Sequence, residues 1–418
     1  MQWINEIKLR DSLSGYLLEQ EMKRQQNCLE LIPSENFVSP AVLQALGSIA
    51  TNKYSEGYPG KKYYGGNQYI EKIELLAIER AKKLFNAEHV NVQPLSGAPA
   101  NIAVYSALLE PGDTILGMDL SHGGHLTHGH PVTFMAKIYK YVRYKTDLNS
   151  GLIDYENLRK LALEHKPKLI LAGFSAYSRE LDYNAFQKIA DEIGALTMAD
   201  IAHIAGLIAA GVLNNPVPIF DVVTTTTHKT LRGPRGGMIM CKAKHAKLID
   251  KGVFPGFQGG PHMNNISALA IALHEAMQPE FKEYAKQIVK NTKVLENIFR
   301  DEGLRICFGK TENHLLLIDV RPFNIDGKQA QEILDSVNIT LNMNMIPDDP
   351  NPPMRPSGIR LGTPAVTTRG MKETEMEKIG KMIVSVLKNK ASEEIKQNVR
   401  EEVKELVKQF PLYSDFEY

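Results

Sequence analysis

The sequence predicts an α/β protein with parallel β/α winding in two domains, and three observations carry that prediction. Residues 151–221 alternate short apolar runs with helical stretches, the pattern of a helix-covered parallel sheet. Several of those runs stop at residues able to do chemistry: Ser175 after 168–174, Asp200 closing 196–200, and His228-Lys229 after the β-branched run from Val222. In open α/β sheets that carboxyl edge is where ligands bind. Finally, 418 residues are long for a single core.

Composition narrows the class. Hydrophobic residues make up 43% and charged residues 23%, as in an ordinary soluble globular chain. A formal charge of +1 argues against a dominant field for nucleic acid or anionic membrane. Cys28, Cys241 and Cys307 are far apart, odd in number and form no C-x-x-C, which points to a reducing compartment without a disulfide framework. The first residues, MQWINEIKLRDS, mix charges and lack an apolar centre, so no secretory signal is expected. No run approaches the ~20 apolar residues of a membrane span. The expectation is a soluble, cytoplasmic protein.

In chain order, residues 1–30 place Leu9, Leu13, Leu17 and Leu18 at helical spacing and predict a helix, either an arm on a partner subunit or a cover for the core. Residues 52–69 hold Tyr54, Glu56, Tyr58, Tyr63 and Tyr64 among four glycines, a winding loop of the kind that carries binding residues, or else simply tyrosines on a surface. Residues 90–101 read as a strand, then Ser96-Gly97, then a helix from Asn101, whose amino terminus suits a phosphate. Four histidines within residues 121–130 invite a metal reading, but no cysteine or carboxylate lies among them and paired glycines loosen the geometry. Residues 236–242 predict a return strand, 266–300 a long helix into a second domain, 314–320 a strand and 328–337 a helix. Five prolines from Pro347 to Pro356 demand an irregular loop over 344–356. The tail, 388–410, is charged and periodic and reads as a solvated amphipathic helix.

The chain is organised around residues 221–237, DVVTTTTHKTLRGPRGG. A lysine just past a buried strand, crowded by His228, Arg232 and Arg235, should have its ammonium form disfavoured. The free amine is a nucleophile able to form a Schiff base with a carbonyl. The plainer reading is a phosphate-gripping loop in which Lys229 is only a point charge. A P-loop is absent, because Leu304 stands where the first glycine before Gly309-Lys310-Thr311 is required, and no G-x-G-x-x-G occurs. Asp200, one strand–connection–strand unit before Lys229, suits a pyridinium nitrogen, which pyridoxal phosphate (PLP) needs paired to an acid; taken alone it reads as a helix cap.

TTTTHKTLRGPRGG preceded by MADIAHIAG resembles serine hydroxymethyltransferase, a PLP-dependent family of the aspartate-aminotransferase-like fold (fold type I). LIPSENFVSP, TNKYSEGYPGKKYYGGNQYIE, NVQPLSGAPAN, LEPGDTILGMDLSHGGHLTHG, AGFSAYS, FPGFQGGP and PSGIRLGTPA follow the family's order over residues 31–368. The resemblance implies a large domain, 31–280, with a mostly parallel seven-stranded sheet, a smaller α+β domain, 281–418, and a helical arm, 1–30. It implies that Lys229 carries PLP, Asp200 meets its ring nitrogen, His125 stacks on the ring, and Ser175 and His203 meet its phenolic oxygen. Ser96, Gly97 and His228 would face the phosphate, with Tyr54, Gly259 and Gly260 arriving from a neighbouring subunit. Arg360 and Ser34 would bind the amino acid, Arg360 through a planar guanidinium suited to a carboxylate. Glu56 and Tyr64 would be acid–base and orienting groups, with Thr226 beside the lysine. Leu120, Gly124, Leu126 and Asn344 would contact a reduced pterin.

The implied reaction is reversible interconversion of serine and glycine, with the hydroxymethyl carbon moving to a tetrahydrofolate-type carrier, in a homodimer or tetramer and without a metal. The sequence departs from the family at Pro33, at Ala98-Pro99 (a second phosphate-binding serine being usual at Ala98), at Phe257 and in the Met343-Asn344-Met345 loop. These departures leave room for a modified carrier such as tetrahydromethanopterin. The alternatives are a pterin-independent PLP aldolase of threonine-like substrates, an aminotransferase, and a non-catalytic protein of the same fold.

Overall fold

The computed structural model describes residues 2–390 and 392–414. Its centre is a seven-stranded sheet in the order His89–Asn91, Gly237–Cys241, Val222–Thr226, Leu196–Asp200, Leu169–Gly173, Thr114–Met118, Lys140–Tyr144. Gly237–Cys241 is antiparallel to both neighbours, and the other pairs are parallel. The mostly parallel sheet is therefore as expected.

Val222–Thr226 is buried along its whole length, which a parallel sheet covered on both faces requires. Threonine tolerates that burial here because each hydroxyl has an acceptor. Thr224 Oγ1 donates to Asn101 Oδ1 at 2.6 Å, Thr225 Oγ1 to the Thr226 carbonyl at 2.7 Å, and Thr226 Oγ1 to the Ala202 carbonyl at 3.2 Å. The covering helices are locally specified. Tyr183–Ile193 starts where Asp182 accepts from the Ala185 N–H and stops at Gly194, whose φ of 67° is cheap only for glycine.

A second sheet, antiparallel, runs in the order Arg305–Ile306, Leu315–Asp319, Gly358–Gly362, Asn342–Asn344. Leu316, Ile318, Ile359 and Leu361 pack there against Ile379 and Ile383 of the helix Glu373–Lys388. The helix Pro279–Asp301 joins the two cores: Phe281, Ala285 and Ile288 pack in the first, and Leu295 and Phe299 in the second. Leu29 and Leu31 also belong to the second core, because Leu29–Glu30 pairs in parallel with Ile339–Thr340.

Several boundaries differ from expectation. The amino-terminal stretch is two helices, Gln2–Arg10 and Ser12–Asn27, divided at Asp11, whose carboxylate caps the second. Leu9, Leu13, Leu17 and Leu18 remain exposed. The helix placed at Asn101 begins at Gly97, since Pro99 sits in a first turn that needs no N–H from it. The stretch 266–300 splits into Met263–Ala276 and Pro279–Asp301, with Pro279 opening the second. The tail helix, Glu393–Gln409, is not merely solvated, for Val399, Val403, Leu406 and Val407 are buried. Cys28, Cys241 and Cys307 are buried and unpaired, and no described helix is long and apolar enough to cross a membrane.

Candidate active site

The parallel strands deliver their chemistry to one edge. Asp200 ends its strand, Ser175 follows Gly173 by two residues, and Lys229 follows Thr226 by three. In register, Gly173 lies beside Asp200 and Asp200 beside Thr224, so these groups converge across adjacent strands. Between them lies a cavity of about 350 Å³ lined by Ser34, Ser96, Gly97, His125, Ser175, Asp200, His203, Thr226, His228, Lys229 and Arg360, together with Glu35, Ala98, Phe174, Ala202 and Arg235. The size is that of a small-molecule site.

Burial pushes the Lys229 amine down to about 7; Asp200 opposes that shift, while the charges of Arg360 and Arg235 add to it. The expectation that Arg232 crowds the lysine is corrected. Arg232 turns away to sit over the Tyr284 ring at 4.6 Å, leaving a neutral amine favoured chiefly by desolvation.

Asp200 is held through both carboxylate oxygens. One oxygen accepts from Asn101 Nδ2 at 2.9 Å and meets His128 Nε2 at 3.1 Å, and the other accepts the Ala202 N–H at 3.0 Å. Burial alone would raise its pKa, but the His128 hydrogen bond and nearby positive charge outweigh burial and keep the carboxylate ionised. His125, His128 and Asp200 set ligand atoms within 4.8 Å of one another, so the fold brings a carboxylate to the histidine cluster that the local sequence lacks. His125 Nδ1 already accepts from the Thr127 N–H at 3.2 Å, and burial lowers its pKa to about 4, leaving a neutral ring at the cavity wall.

Two glycines let the helix Gly97–Leu108 approach the strand ends. A Cβ on Gly97 would lie 2.6 Å from Thr226 Cγ2, and one on Gly237 would lie 2.7 Å from the Ser96 carbonyl. Ser96 occupies the cap position without capping, so its hydroxyl is not tied to the helix. His228 Nδ1 is buried without a partner among the described residues.

Arg360 is 8% exposed, and among the described residues no carboxylate lies within ion-pair distance of it. Its Nη1 donates to the Ser175 carbonyl at 2.7 Å and to Ser175 Oγ at 3.1 Å, and its Nε to Asn342 Oδ1 at 3.1 Å. Burial holds its pKa near 10, still charged at neutral pH. A buried guanidinium with only neutral acceptors is left with an uncompensated charge.

Other expected residues stand apart from this cavity. Tyr54, Glu56, Tyr64, Gly259 and Gly260 form their own patch: Tyr54 Oη donates to Glu56 Oε1 at 3.0 Å, and the Tyr54 and Tyr64 rings meet edge-on at 5.0 Å. A Cβ on Gly260 would lie 3.4 Å from the Tyr54 ring, and one on Gly259 3.3 Å from Glu56 Oε1. Leu120, Gly124, Leu126 and Asn344 do not line the cavity either; Leu126 is exposed, and Asn344 Nδ2 donates to the Met345 carbonyl at 2.7 Å. Sequence reasoning missed Asn101, which holds Asp200 from 99 residues away, and His314, which meets His203 at 3.2 Å across 111. Neither carries a local signal.

The model of one family, serine hydroxymethyltransferase, matches residues 8–383. That span includes the Lys229 cavity, the Tyr54–Glu56 patch and Arg360 alike, and the chain belongs to the serine hydroxymethyltransferase family of PLP-dependent enzymes.

Proposed function

We propose that this protein interconverts serine and glycine and passes the hydroxymethyl carbon to and from a reduced pterin of the tetrahydrofolate type. The observation that carries the reading is Arg360, a buried cation without an acidic partner among the described residues, facing the same cavity as a lysine of lowered pKa and an ionised Asp200. An amino-acid carboxylate is the anion this arrangement lacks.

The residues fit PLP. Lys229 offers a neutral amine for an aldehyde, Asp200 an acceptor for a ring N–H, and His228 Nδ1 a buried polar atom without a partner among the described residues. The first-turn N–H groups behind Ser96 and Gly97 suit a phosphate; Ala98 has no hydroxyl, so the backbone donors that remain beside Pro99, which has none to give, carry more of the grip. When bound, PLP supplies an electron sink for the pair released as the serine Cα–Cβ bond breaks.

The chain's own groups do the rest. Arg360 and Ser34 orient the carboxylate, which aims the bond to be broken. Ser175 and His203 would meet the phenolic oxygen of bound PLP, and the neutral His125 ring would lie beside its pyridine. Thr226 packs beside Lys229. Glu56 holds and returns the proton of the hydroxymethyl group, with Tyr64 orienting the substrate and Tyr54, Gly259 and Gly260 facing the phosphate. In this reading these groups come from a second copy, in a homodimer with shared sites or a tetramer built from it; the patch's absence from its own chain's cavity lining supports that. Leu120, Gly124, Leu126 and Asn344 receive the carrier.

The test is the visible spectrum of the purified protein with glycine, before and after tetrahydrofolate. A strong new long-wavelength band requiring both is the expected result. A band that answers to glycine and ignores tetrahydrofolate overturns the folate carrier and favours a modified pterin or the pterin-independent aldolase.

A further inference from the structure

His203 lies at the cavity wall with both ring nitrogens committed. Nδ1 is 3.2 Å from His314 Nε2, and Nε2 is 3.5 Å from Ser175 Oγ. The backbone is pinned as well, since Thr230 Oγ1 donates to the His203 carbonyl at 2.9 Å. The two imidazoles lie 5.4 Å apart and tilted by 31°. His314 has no exposed surface and does not line the cavity, so it reaches the site only through His203.

Both rings are neutral. Burial, with the charges of Lys229 and Arg360, holds His314 down at about 3 and drives His203 well below its ordinary value. Two neutral imidazoles facing nitrogen to nitrogen share one N–H, so only two arrangements exist. In one, His203 Nδ1–H donates to His314 Nε2, and His314 carries its own proton on Nδ1. That nitrogen is buried and has no partner among the described residues. A buried N–H would be orphaned, the rarer and costlier kind of unsatisfied group. In the other, His314 Nε2–H donates to His203 Nδ1, and the atom left alone is a bare lone pair.

We propose that His314 is a positioning residue that locks His203 in the Nε2–H tautomer, so that the cavity wall presents an N–H donor beside Ser175. Arg360 already donates to Ser175 Oγ, so a second donor from His203 turns the serine proton outward to the cavity. With Arg360 and His203 Nε2–H both donating to its oxygen, the Ser175 Oγ–H is then aimed at one acceptor oxygen in the cavity. Identifying that acceptor as the phenolic oxygen of PLP rests on the proposed function; the tautomer itself does not.

Neutron diffraction from crystals of the full-length protein grown in D2O reads the tautomer directly, with cofactor and after its removal. Deuterium on Nε2 of both His203 and His314 is the expected result in each state. Deuterium on His203 Nδ1 overturns the proposal whatever the protein's activity. If Nε2–H holds while PLP fails to bind, the tautomer stands and the cofactor reading falls. His314→Gln, whose amide N–H reaches the same point as Nε2–H, should keep kcat within about threefold, whereas His314→Leu should lose about tenfold or more, the worth of one hydrogen bond to a charged or developing charge. Equal losses in both variants, with Nε2–H absent from His203 in His314→Gln, would also overturn it.

Discussion

The Lys229 cavity and the Tyr54–Glu56–Tyr64 patch are both dense in chemistry, yet they are built in opposite ways. The cavity is walled by its own chain: Asp200, His203, Lys229 and Arg360 are buried, and Asp200, His203 and Arg360 are held by neighbours from distant segments. The patch is open. Tyr54 and Tyr64 are 55% and 49% exposed, and the groups that hold them lie beneath rather than around them. There Lys62 Nζ, nearly inaccessible, donates to Glu74 Oε2 at 2.5 Å and to the Gly57 carbonyl at 2.8 Å, while Gln93 Nε2 donates to Glu74 Oε1 at 2.6 Å. Burial outweighs the attraction of Lys62 and raises the Glu74 pKa. The loop rests on a buried ion pair but is itself uncovered, as the proposed sharing of the site with a second copy requires.

The sharpest way to break the comparison is complementation. Lys229→Ala and Glu56→Gln should each abolish steady turnover, through different halves of the site. Mixed and refolded together, they should recover about a quarter of wild-type activity, because half of randomly paired dimers carry one intact site. No recovery would place Glu56 and Lys229 in one chain's site and remove the second copy from the reading.

Next in size is the foundation of the patch. Lys62→Met strands Glu74 as a buried charge and should cost about 3–5 kcal/mol in denaturant unfolding. A loss below about 1 kcal/mol would mean the loop is not held by this pair. Arg360→Gln tests the cavity itself: losing one charge-assisted contact to a carboxylate should raise the serine KM by about 10- to 150-fold, or about 1.5–3 kcal/mol. An unchanged KM would leave the buried guanidinium without its assigned anion.

The smallest effect is a pH shift. With the Lys229 pKa near 7, the reactive free amine prevails above that pH and the ammonium below it, so PLP uptake by the cofactor-free protein should accelerate as pH rises through about 7 and then level off. Because Arg360 helps depress that pKa, Arg360→Gln should move the midpoint upward. A midpoint unmoved by the variant would mean that desolvation alone sets the lysine.

Much of this was legible in residue order. The strand before Asp200, the β-branched run before Lys229 and the return strand after Gly236 are each specified within five or six residues by pattern, and glycine and proline mark where they stop. Boundaries failed where one residue decides between continuing and breaking, as at Asp11 and Pro279. The direction of Arg232 failed too, because proximity in sequence to Lys229 says nothing of the Tyr284 ring that captures it from the helix Pro279–Asp301.

By itself, then, the sequence determined which side chains stand at the carboxyl edge of the sheet and which family they belong to, since both depend on local period and short motifs. Only the tertiary structure decided what each of those groups faces. That His314 meets His203, that Asn101 and His128 keep Asp200 ionised, and that Glu56 lies outside its own chain's cavity are outcomes of contacts across scores of residues. Burial and partnership set charge, tautomer and pKa there, and neither is a property of local sequence.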